Sequence, residues 1–170
     1  MGSSRSLAEL AHAVGGRVIG DPSTVVLDVT HDSSQVGEGS LFVAVVGESH
    51  DGHDYIDQAV RAGAAALCVS RDVESRHDRI VVDDTRRSLG RLAASVHGDP
   101  SHDLAVIGVT GTNGKTTVTH FVESILQSLG MPVGLIGTIG SRVGDTALPS
   151  VRTTPEASDF QRLLANMRDA

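Results

Sequence analysis

Residues 108–118 read GVTGTNGKTTV, a glycine-rich stretch that joins two segments of different character. The apolar run at 104–109 is typical of a buried strand, and apolar residues recur at helical spacing after the stretch. A strand that enters a glycine-rich turn and continues as a helix directs backbone N–H groups and the positive end of the helix dipole at one point. The stretch therefore predicts a phosphate-binding loop.

The residues of this loop have separate predicted tasks. Gly111 and Gly114 permit close approach of the backbone to a phosphate. Lys115 reaches the β- and γ-phosphates, and the hydroxyl of Thr116 is placed to ligate Mg²⁺. The strict pattern G-x-x-x-x-G-K-[ST] fails at one position, because Val109 stands where its first glycine belongs. The strand and helix context nevertheless favours a nucleotide site over a tight turn with an exposed lysine.

Composition limits the class of protein. The 170 residues are 39% hydrophobic, which is enough for a packed core in one domain or two small ones. A net charge of −7 and 2% aromatic residues argue against a nucleic-acid partner. No stretch has the apolar length of a signal or a membrane span, so we expect a cytoplasmic protein without membrane insertion. Cys68 lies in an apolar run, where a buried structural thiol is expected.

Short helices and strands alternate along the chain, which predicts an α/β protein in two parts. The polar, Gly- and Pro-containing stretch 99–103 is predicted to be a linker. Residues 1–98 then form a small α/β domain, and residues 104–170 begin a second α/β domain with a mostly parallel sheet. Apolar spacing and capping residues predict the following elements: helices with apolar faces at 7–14, 56–60, 89–96, 118–129 and 160–167, and strands at 25–29, 41–46, 65–69, 80–82, 104–109 and 133–136. Asp54, Asp84 and Thr154 are the predicted caps of the second, third and fifth helices, with Pro155 at the first helical position of the fifth.

The loop as it stands resembles the nucleotide loop of the Mur ligases, the ATP-dependent ligases that build the peptide stem of peptidoglycan. Residues 31–67, HDSSQVGEGSLFVAVVGESHDGHDYIDQAVRAGAAAL, are similar to the nucleotide-sugar module of that family. Residues 134–145, GLIGTIGSRVGD, and 152–157, RTTPEA, resemble the branch that adds the third residue of the stem. The resemblance covers about residues 5–170.

The resemblance implies an activity. ATP would phosphorylate the terminal carboxylate of UDP-N-acetylmuramoyl-L-alanyl-D-glutamate, and the amine of an incoming diamino acid would attack the acyl phosphate to form an amide. The sequence leaves open whether that amino acid is meso-diaminopimelate or L-lysine, and it leaves the oligomeric state open. Positioning and charge neutralisation by the loop suit the transfer of a phosphoryl group.

The resemblance also implies roles for individual residues. The ATP loop comprises Gly111, Thr112, Asn113, Gly114, Lys115, Thr116 and Thr117, with Lys115 and Thr116 as its catalytic residues and Thr116 as its Mg²⁺ ligand. Contacts to the nucleotide-sugar substrate are expected from His31, Ser33, Glu48, Ser49, His50, Thr153 and Thr154. Ser34 stands where the family has an arginine, so one charged contact is expected to be lost.

The family's other catalytic residues and its amino-acid-selecting domain are not found in these 170 residues. We therefore expect a fragment that binds the substrates without joining them. Two rival interpretations stay open: another Mur-type ligase, such as the next ligase of the pathway or a cyanophycin-synthetase-like enzyme, and a non-catalytic module that binds the precursor. An unrelated phosphate-loop protein would leave residues 1–100 without a role.

Overall fold

The computed structural model describes residues 4–47, 49–137, 140–144, 146–148 and 155–170. Its helices are α1 (Leu7–Val14), α2 (Ile56–Arg61), α3 (Thr85–Val96), α4 (Lys115–Ser128) and α5 (Ala157–Asp169). Its strands are β1 (Arg5–Ser6), β2 (Arg17–Ile19), β3 (Val25–Val26), β4 (Asp28–Thr30), β5 (Ser40–Val43), β6 (Ala66–Val69), β7 (Arg79–Val81), β8 (Gly134–Gly137), β9 (Gly140–Val143) and β10 (Thr146–Leu148). Turns of 3₁₀ helix cover Ser33–Gln35, Gly52–Tyr55 and Pro100–His102. Among the described helices, none is long and apolar enough to cross a membrane.

A five-stranded sheet organises the first part of the chain, in the order β2-β7-β6-β5-β4. Strands β4, β5, β6 and β7 run parallel to one another, and β2 is an edge strand that pairs antiparallel with β7. Helices lie on both faces, so the central strands are buried on both sides. Along β5, Leu41 and Val43 point to the core that holds α1 and α3, and Phe42 points to the core that holds α2.

The predicted elements of this part are largely confirmed. Asp84 caps α3, since its carboxylate accepts the backbone N–H of Arg87 at 3.0 Å. Cys68 is completely buried on β6, and this burial raises the pKa of its thiol to about 12. The predicted cap at Asp54 is wrong. Asp51 caps a 3₁₀ turn there, and α2 begins after it at Ile56.

The strand predicted at 25–29 is divided by pairing. Val25–Val26 pairs antiparallel with Arg5–Ser6, whereas Asp28–Thr30 joins the large sheet beside β5. Apolar residues mark both pieces as strand, but the pairing partners of each lie elsewhere in the chain. Periodicity alone therefore merges two strands that belong to different sheets.

The second part of the chain departs further from the prediction. The apolar run at 104–109 is unpaired in the described structure, and Val106 and Ile107 are mostly exposed. Strand β8 forms near the predicted place, but it pairs antiparallel with β9 and not with the run before the loop. A parallel strand depends on hydrogen bonds to neighbouring strands, and no described residue supplies them to 104–109.

Helix α4 forms as predicted, yet much of its apolar side faces solvent. Val118, Phe121, Ile125 and Leu129 follow helical spacing and are all exposed. The opposite side is attached to the β8–β9 hairpin by Glu123, whose carboxylate accepts from Arg142 and also contacts His120. The bonds from Arg142 outweigh the effect of burial and lower the pKa of Glu123.

Helix α5 begins at Ala157 with Glu156 as its N-cap residue. The predicted start, with Pro155 at the first helical position, is therefore wrong by two residues, and Thr154 lies outside the described residues. The apolar stripe of α5 is confirmed, because Leu163 and Leu164 are buried. The helix packs against α3 and the edge strand β4, both of which belong to the first part of the chain.

We expect the exposed stripe of α4 to cause self-association of the 170-residue chain. Ile125→Lys should reduce the association seen by sedimentation velocity, because it replaces an exposed apolar side chain with a charge. It should change the free energy of unfolding by no more than about 0.5 kcal/mol, as is usual for surface positions. Gln127→Lys adds the same charge at an exposed polar position of the same helix and should leave association unchanged. Loss of folding in Ile125→Lys alone would contradict an exposed position.

Candidate functional site

The carboxyl ends of β4, β5, β6 and β7 meet at one edge of the large sheet, because these strands are parallel. Ligands of open α/β sheets bind at this edge, where the loops that follow the strands converge. The loop after β4 carries His31 and Ser33, and the loop after β5 carries Ser49 and His50. Four of the predicted substrate contacts thus follow neighbouring strands at the same edge.

The loop after β4 is shaped by its own hydrogen bonds. Asp32 caps the 3₁₀ turn, since its Oδ1 accepts from both the backbone N–H and the hydroxyl of Ser34. Ser34 therefore supports the turn at the position where an arginine was expected. The hydroxyl of Ser33 has no hydrogen-bond partner among the described residues and is half-exposed, so it is available to a ligand. His31 instead contacts α5, through 3.1 Å between its Nδ1 and Oγ of Ser158.

The loop after β5 is closed at its base and open at its tip. Gly47 donates its N–H to the carbonyl oxygen of His50 at 2.9 Å, and Val46 forms an isolated bridge with Asp51. Ser49 and His50 are exposed at the tip. Glu48, the third predicted contact of this loop, lies outside the described residues.

A polar network holds the base of that loop. The Nδ1 of His53 lies 2.6 Å from Oδ1 of Asp51, and Arg71 donates to Oδ2 of the same carboxylate at 2.7 Å. The backbone N–H of Ser70 donates to Nε2 of His53 at 3.2 Å, so Nε2 is the acceptor and the ring donates from Nδ1. The side chain of His53 is 2% exposed, and its role is to join the loop after β5 to the loop after β6.

Gly52 lies between the two polar partners of this network for a steric reason. A Cβ at this position would stand 2.6 Å from the backbone nitrogen of Val45. Any side chain would force the turn away from β5. The D-G-H run at 51–53 is therefore a brace for the loop, with its acid and histidine committed to each other.

A cleft of about 340 Å³ opens beside this network at the same edge. It is lined by Val46, Ser70, Asp83, Asp84, Thr85 and Arg86. The hydroxyl of Thr85 donates to the carbonyl oxygen of Ala44 at 2.9 Å and so fixes the start of α3 against the end of β5. The sequence does not show that these residues line one cleft, because only the strand order places the ends of β5, β6 and β7 together.

The phosphate loop follows the first part of the chain in sequence, and it is exposed to solvent. Gly111 and Gly114 have φ values of +153° and +78°, so both adopt backbone conformations that favour glycine. No side chain caps the start of α4, and residues 111–117 are exposed. The ammonium of Lys115 is folded back onto the carbonyl oxygen of Gly111 at 2.6 Å. An uncapped helix start with a lysine folded over a glycine turn suits an anionic ligand.

Two predicted contacts, Thr153 and Thr154, lie outside the described residues. The residues that follow them are attached to the first part of the chain. Glu156 lies 3.5 Å from Arg86 of the cleft, and Ser158 contacts His31. The start of α5 thus reaches the same sheet edge as the other predicted contacts.

This geometry defines an α/β protein with a mostly parallel sheet and an exposed glycine-rich loop at the start of a helix, and comparisons with known proteins give its family. The family model described as "Mur ligase family, catalytic domain" matches residues 26–97, and the one described as "Mur ligase middle domain" matches residues 109–170. The chain is 45% identical over 150 residues to the UDP-N-acetylmuramoyl-L-alanyl-D-glutamate–2,6-diaminopimelate ligase of Geobacillus thermodenitrificans, covering 88% of this chain and 30% of the relative. It is 42% identical over 172 residues to the ligase of the same name from Streptomyces coelicolor, covering 98% and 34%.

Solved structures agree on the fold. A structure titled as the same 2,6-diaminopimelate ligase covers 98% of this chain and 34% of its own with a TM-score of 0.75, and its 21% identity speaks for the fold alone. The MurF ligase of Thermotoga maritima in complex with ADP covers 81% and 28%, with a TM-score of 0.55 and 29% identity. The chain belongs to the Mur ligase family. It spans about a third of the length of the relatives that it matches.

We expect Asp51→Ala to lower the free energy of unfolding by about 2 kcal/mol, because it leaves the buried ring of His53 without its acceptor. Burial alone would raise the pKa of Asp51, but the N–H and ring of His53 and the guanidinium of Arg71 outweigh it and lower the pKa to about 2. The unfolded carboxyl, with its ordinary pKa of 3.8, takes up the proton first as pH falls. The stabilisation is therefore complete above about pH 4 and is lost towards pH 2.

Urea unfolding at pH 7 and at pH 3 measures both effects. The difference between wild type and Asp51→Ala should be smaller at pH 3. Asp54→Ala removes an exposed carboxylate from the same turn and should change stability by no more than about 0.5 kcal/mol. An equal loss of stability in Asp51→Ala and Asp54→Ala would contradict the role of Asp51 in holding the loop.

Proposed function

We propose that this chain carries the nucleotide-sugar site and the ATP loop of a ligase that adds a diamino acid to UDP-N-acetylmuramoyl-L-alanyl-D-glutamate. The names of the relatives support this reaction and favour 2,6-diaminopimelate over lysine as the amino acid. The observation that carries the proposal is the open phosphate loop at the uncapped start of α4, in a chain whose other part presents polar loops at the edge of a parallel sheet.

The loop residues fit the triphosphate of ATP. The backbone from Gly111 to Thr117 is exposed, and its two positive-φ glycines leave room for phosphate oxygens. Lys115 is the only lysine of the chain. Its bond to the carbonyl oxygen of Gly111 keeps the ammonium over the loop, so a phosphate would replace a neutral acceptor with an anionic one and form an ion pair.

Thr116 is the proposed ligand of Mg²⁺, through a hydroxyl that follows directly on Lys115. ATP with its metal ion supplies an activated phosphoryl group for the substrate carboxylate. The chain's own contribution is to orient the transferring group and to balance its charge with the amides at the start of α4 and the ammonium of Lys115.

The nucleotide-sugar is proposed to occupy the carboxyl edge of the large sheet. The free hydroxyl of Ser33 and the exposed side chains of Ser49 and His50 are available for uridine and phosphate oxygens. His31 uses Nδ1 for Ser158, so Nε2 is the ring nitrogen proposed to contact the ligand. Glu48, Thr153 and Thr154 complete the proposed set of contacts.

We further propose that residues 1–170 bind both substrates without joining them. The proposed binding uses the loops of this chain, which covers only about a third of the length of the relatives that are named as ligases. A purified 170-residue chain should therefore form no amide product from the nucleotide-sugar, ATP and 2,6-diaminopimelate. Detection of that product by mass spectrometry would overturn this proposal.

Because the two proposed sites are separate, a substitution in one site should weaken binding of its own ligand and leave binding of the other unchanged. Lys115→Ala should weaken binding of ATP–Mg²⁺ at least about tenfold, since a charge-assisted phosphate contact contributes about 1.5–3 kcal/mol. It should leave the affinity for the nucleotide-sugar unchanged. Ser33→Ala should show the reverse pattern, with a loss of about fivefold or more for the nucleotide-sugar, a net hydrogen bond being worth about 1 kcal/mol.

Isothermal titration of each variant with each ligand gives this comparison. Arg91→Ala, which removes an exposed cation from α3, is the matched control for Lys115→Ala and should bind ATP as the wild type does. Ser128→Ala is the control for Ser33→Ala, because Ser128 ends α4 and lies far along the chain from the proposed sugar site. A wild-type chain that binds neither ligand would overturn the proposed function.

A further inference from the structure

Helix α5 lies along the edge strand β4, which leads directly into the loop that carries His31. Its buried side chains include Leu163, Leu164 and Ala165. The two helices α3 and α5 approach closely, since a Cβ at Gly90 would stand 3.3 Å from the Cβ of Ala157. This apolar contact attaches α5 to the first part of the chain.

Polar contacts then set the position of α5 along the strand. Ser158 is completely buried, and its hydroxyl lies 3.1 Å from Nδ1 of His31. One turn later, Arg162 donates to Oδ2 of Asp28 at 2.9 Å and to the carbonyl oxygen of Val29 at 3.4 Å. Asp28 and Val29 belong to β4, so α5 runs antiparallel to the strand, from its carboxyl end at Ser158 to its amino end at Arg162.

A third contact fixes the far end of the helix. Arg168 donates to the carbonyl oxygen of His97 at 2.9 Å, at the point where α3 ends and the linker begins. The helix is therefore held at both ends, and its register against β4 is defined by directional bonds. A shift of α5 by one residue would break the contacts of Ser158, Arg162 and Arg168 together.

The contact between Ser158 and His31 joins α5 to a loop that is proposed to touch the nucleotide-sugar. His31 belongs to the loop after β4, and Ser158 lies four residues after Thr154. Buried hydroxyls are nearly always paired, and here the partner is a ring from the proposed sugar site. This hydrogen bond therefore connects the proposed sugar site with the first turn of α5.

We infer that Ser158 is a positioning residue, which holds the imidazole of His31 in its binding orientation and keeps the 31–35 loop and the start of α5 in one arrangement around the nucleotide-sugar. This inference rests on the proposed function. According to this inference, α5 aligns the 31–35 loop in addition to packing against the edge strand β4.

Ser158→Ala tests the inference in the 170-residue chain. The variant should bind UDP-N-acetylmuramoyl-L-alanyl-D-glutamate about tenfold more weakly in isothermal titration, because the ring and the loop lose their common orientation. Its affinity for ATP–Mg²⁺ should be unchanged. The ¹⁵N shifts of the His31 imidazole in NMR spectra should change without any ligand, since Nδ1 loses its partner.

Ser141→Ala is the matched control, because Ser141 is also a buried serine but its Oγ has no hydrogen-bond partner in the described structure. It should bind the nucleotide-sugar as the wild type does. Arg162→Gln removes the ion pair between α5 and Asp28 at a partly exposed position. It replaces Ser158→Ala in the test if that variant does not fold. It should weaken nucleotide-sugar binding in the same direction.

The outcomes separate the two proposals. The positioning role would be overturned if the wild type binds the nucleotide-sugar and both Ser158→Ala and Arg162→Gln bind it with the same affinity. The proposed function would then still stand. A loss as large in Ser141→Ala would also overturn it, since the effect would then follow from any buried serine. A wild type that binds ATP but no nucleotide-sugar would overturn the proposed sugar site itself.

Discussion

Parallel strands end at the same edge of their sheet, and this constraint arranges most of what the first part of the chain presents. Strands β4 to β7 all run in one direction, with α1 and α3 on one face and α2 on the other. Both faces are thereby occupied by apolar packing, and polar side chains gather in the loops at the carboxyl edge. The nucleotide-sugar site proposed above is a consequence of that direction, because the loops that carry His31 and His50 follow the neighbouring parallel strands β4 and β5.

Much of the polar chemistry at this edge maintains the loops and leaves a few groups free. The carboxylate of Asp32 is hydrogen-bonded to Ser34, and the carboxylate of Asp51 is hydrogen-bonded to His53 and Arg71. Such internal bonds reduce the freedom that a ligand would otherwise have to remove on binding. The side chains at the loop tips, such as Ser33 and Ser49, then meet the ligand from positions that are already defined.

The two parts of the chain differ in how much of their apolar surface is buried. Helix α4 forms from local hydrogen bonds and is anchored by Glu123 to the β8–β9 hairpin, although its apolar side is exposed. Helix α5 follows the phosphate loop in sequence but packs on α3 and β4. It is therefore the element that ties the two parts together, and its first turn connects the segment after Thr154 with the loop that carries His31.

By itself, the sequence was sufficient for whatever depends on neighbours along the chain. The helical spacing of α1, α3 and α4, the cap at Asp84 and the glycine turn before Lys115 all follow from bonds between residues a few positions apart, and all were predicted. Tertiary structure decided what depends on distant partners: the division of 25–29 between two sheets, the unpaired state of 104–109, the brace formed by His53 and Ser70, and the place of α5. Strand pairing and buried polar contacts join residues tens of positions apart, and apolar periodicity shows that a segment is buried without showing which segment it is buried against.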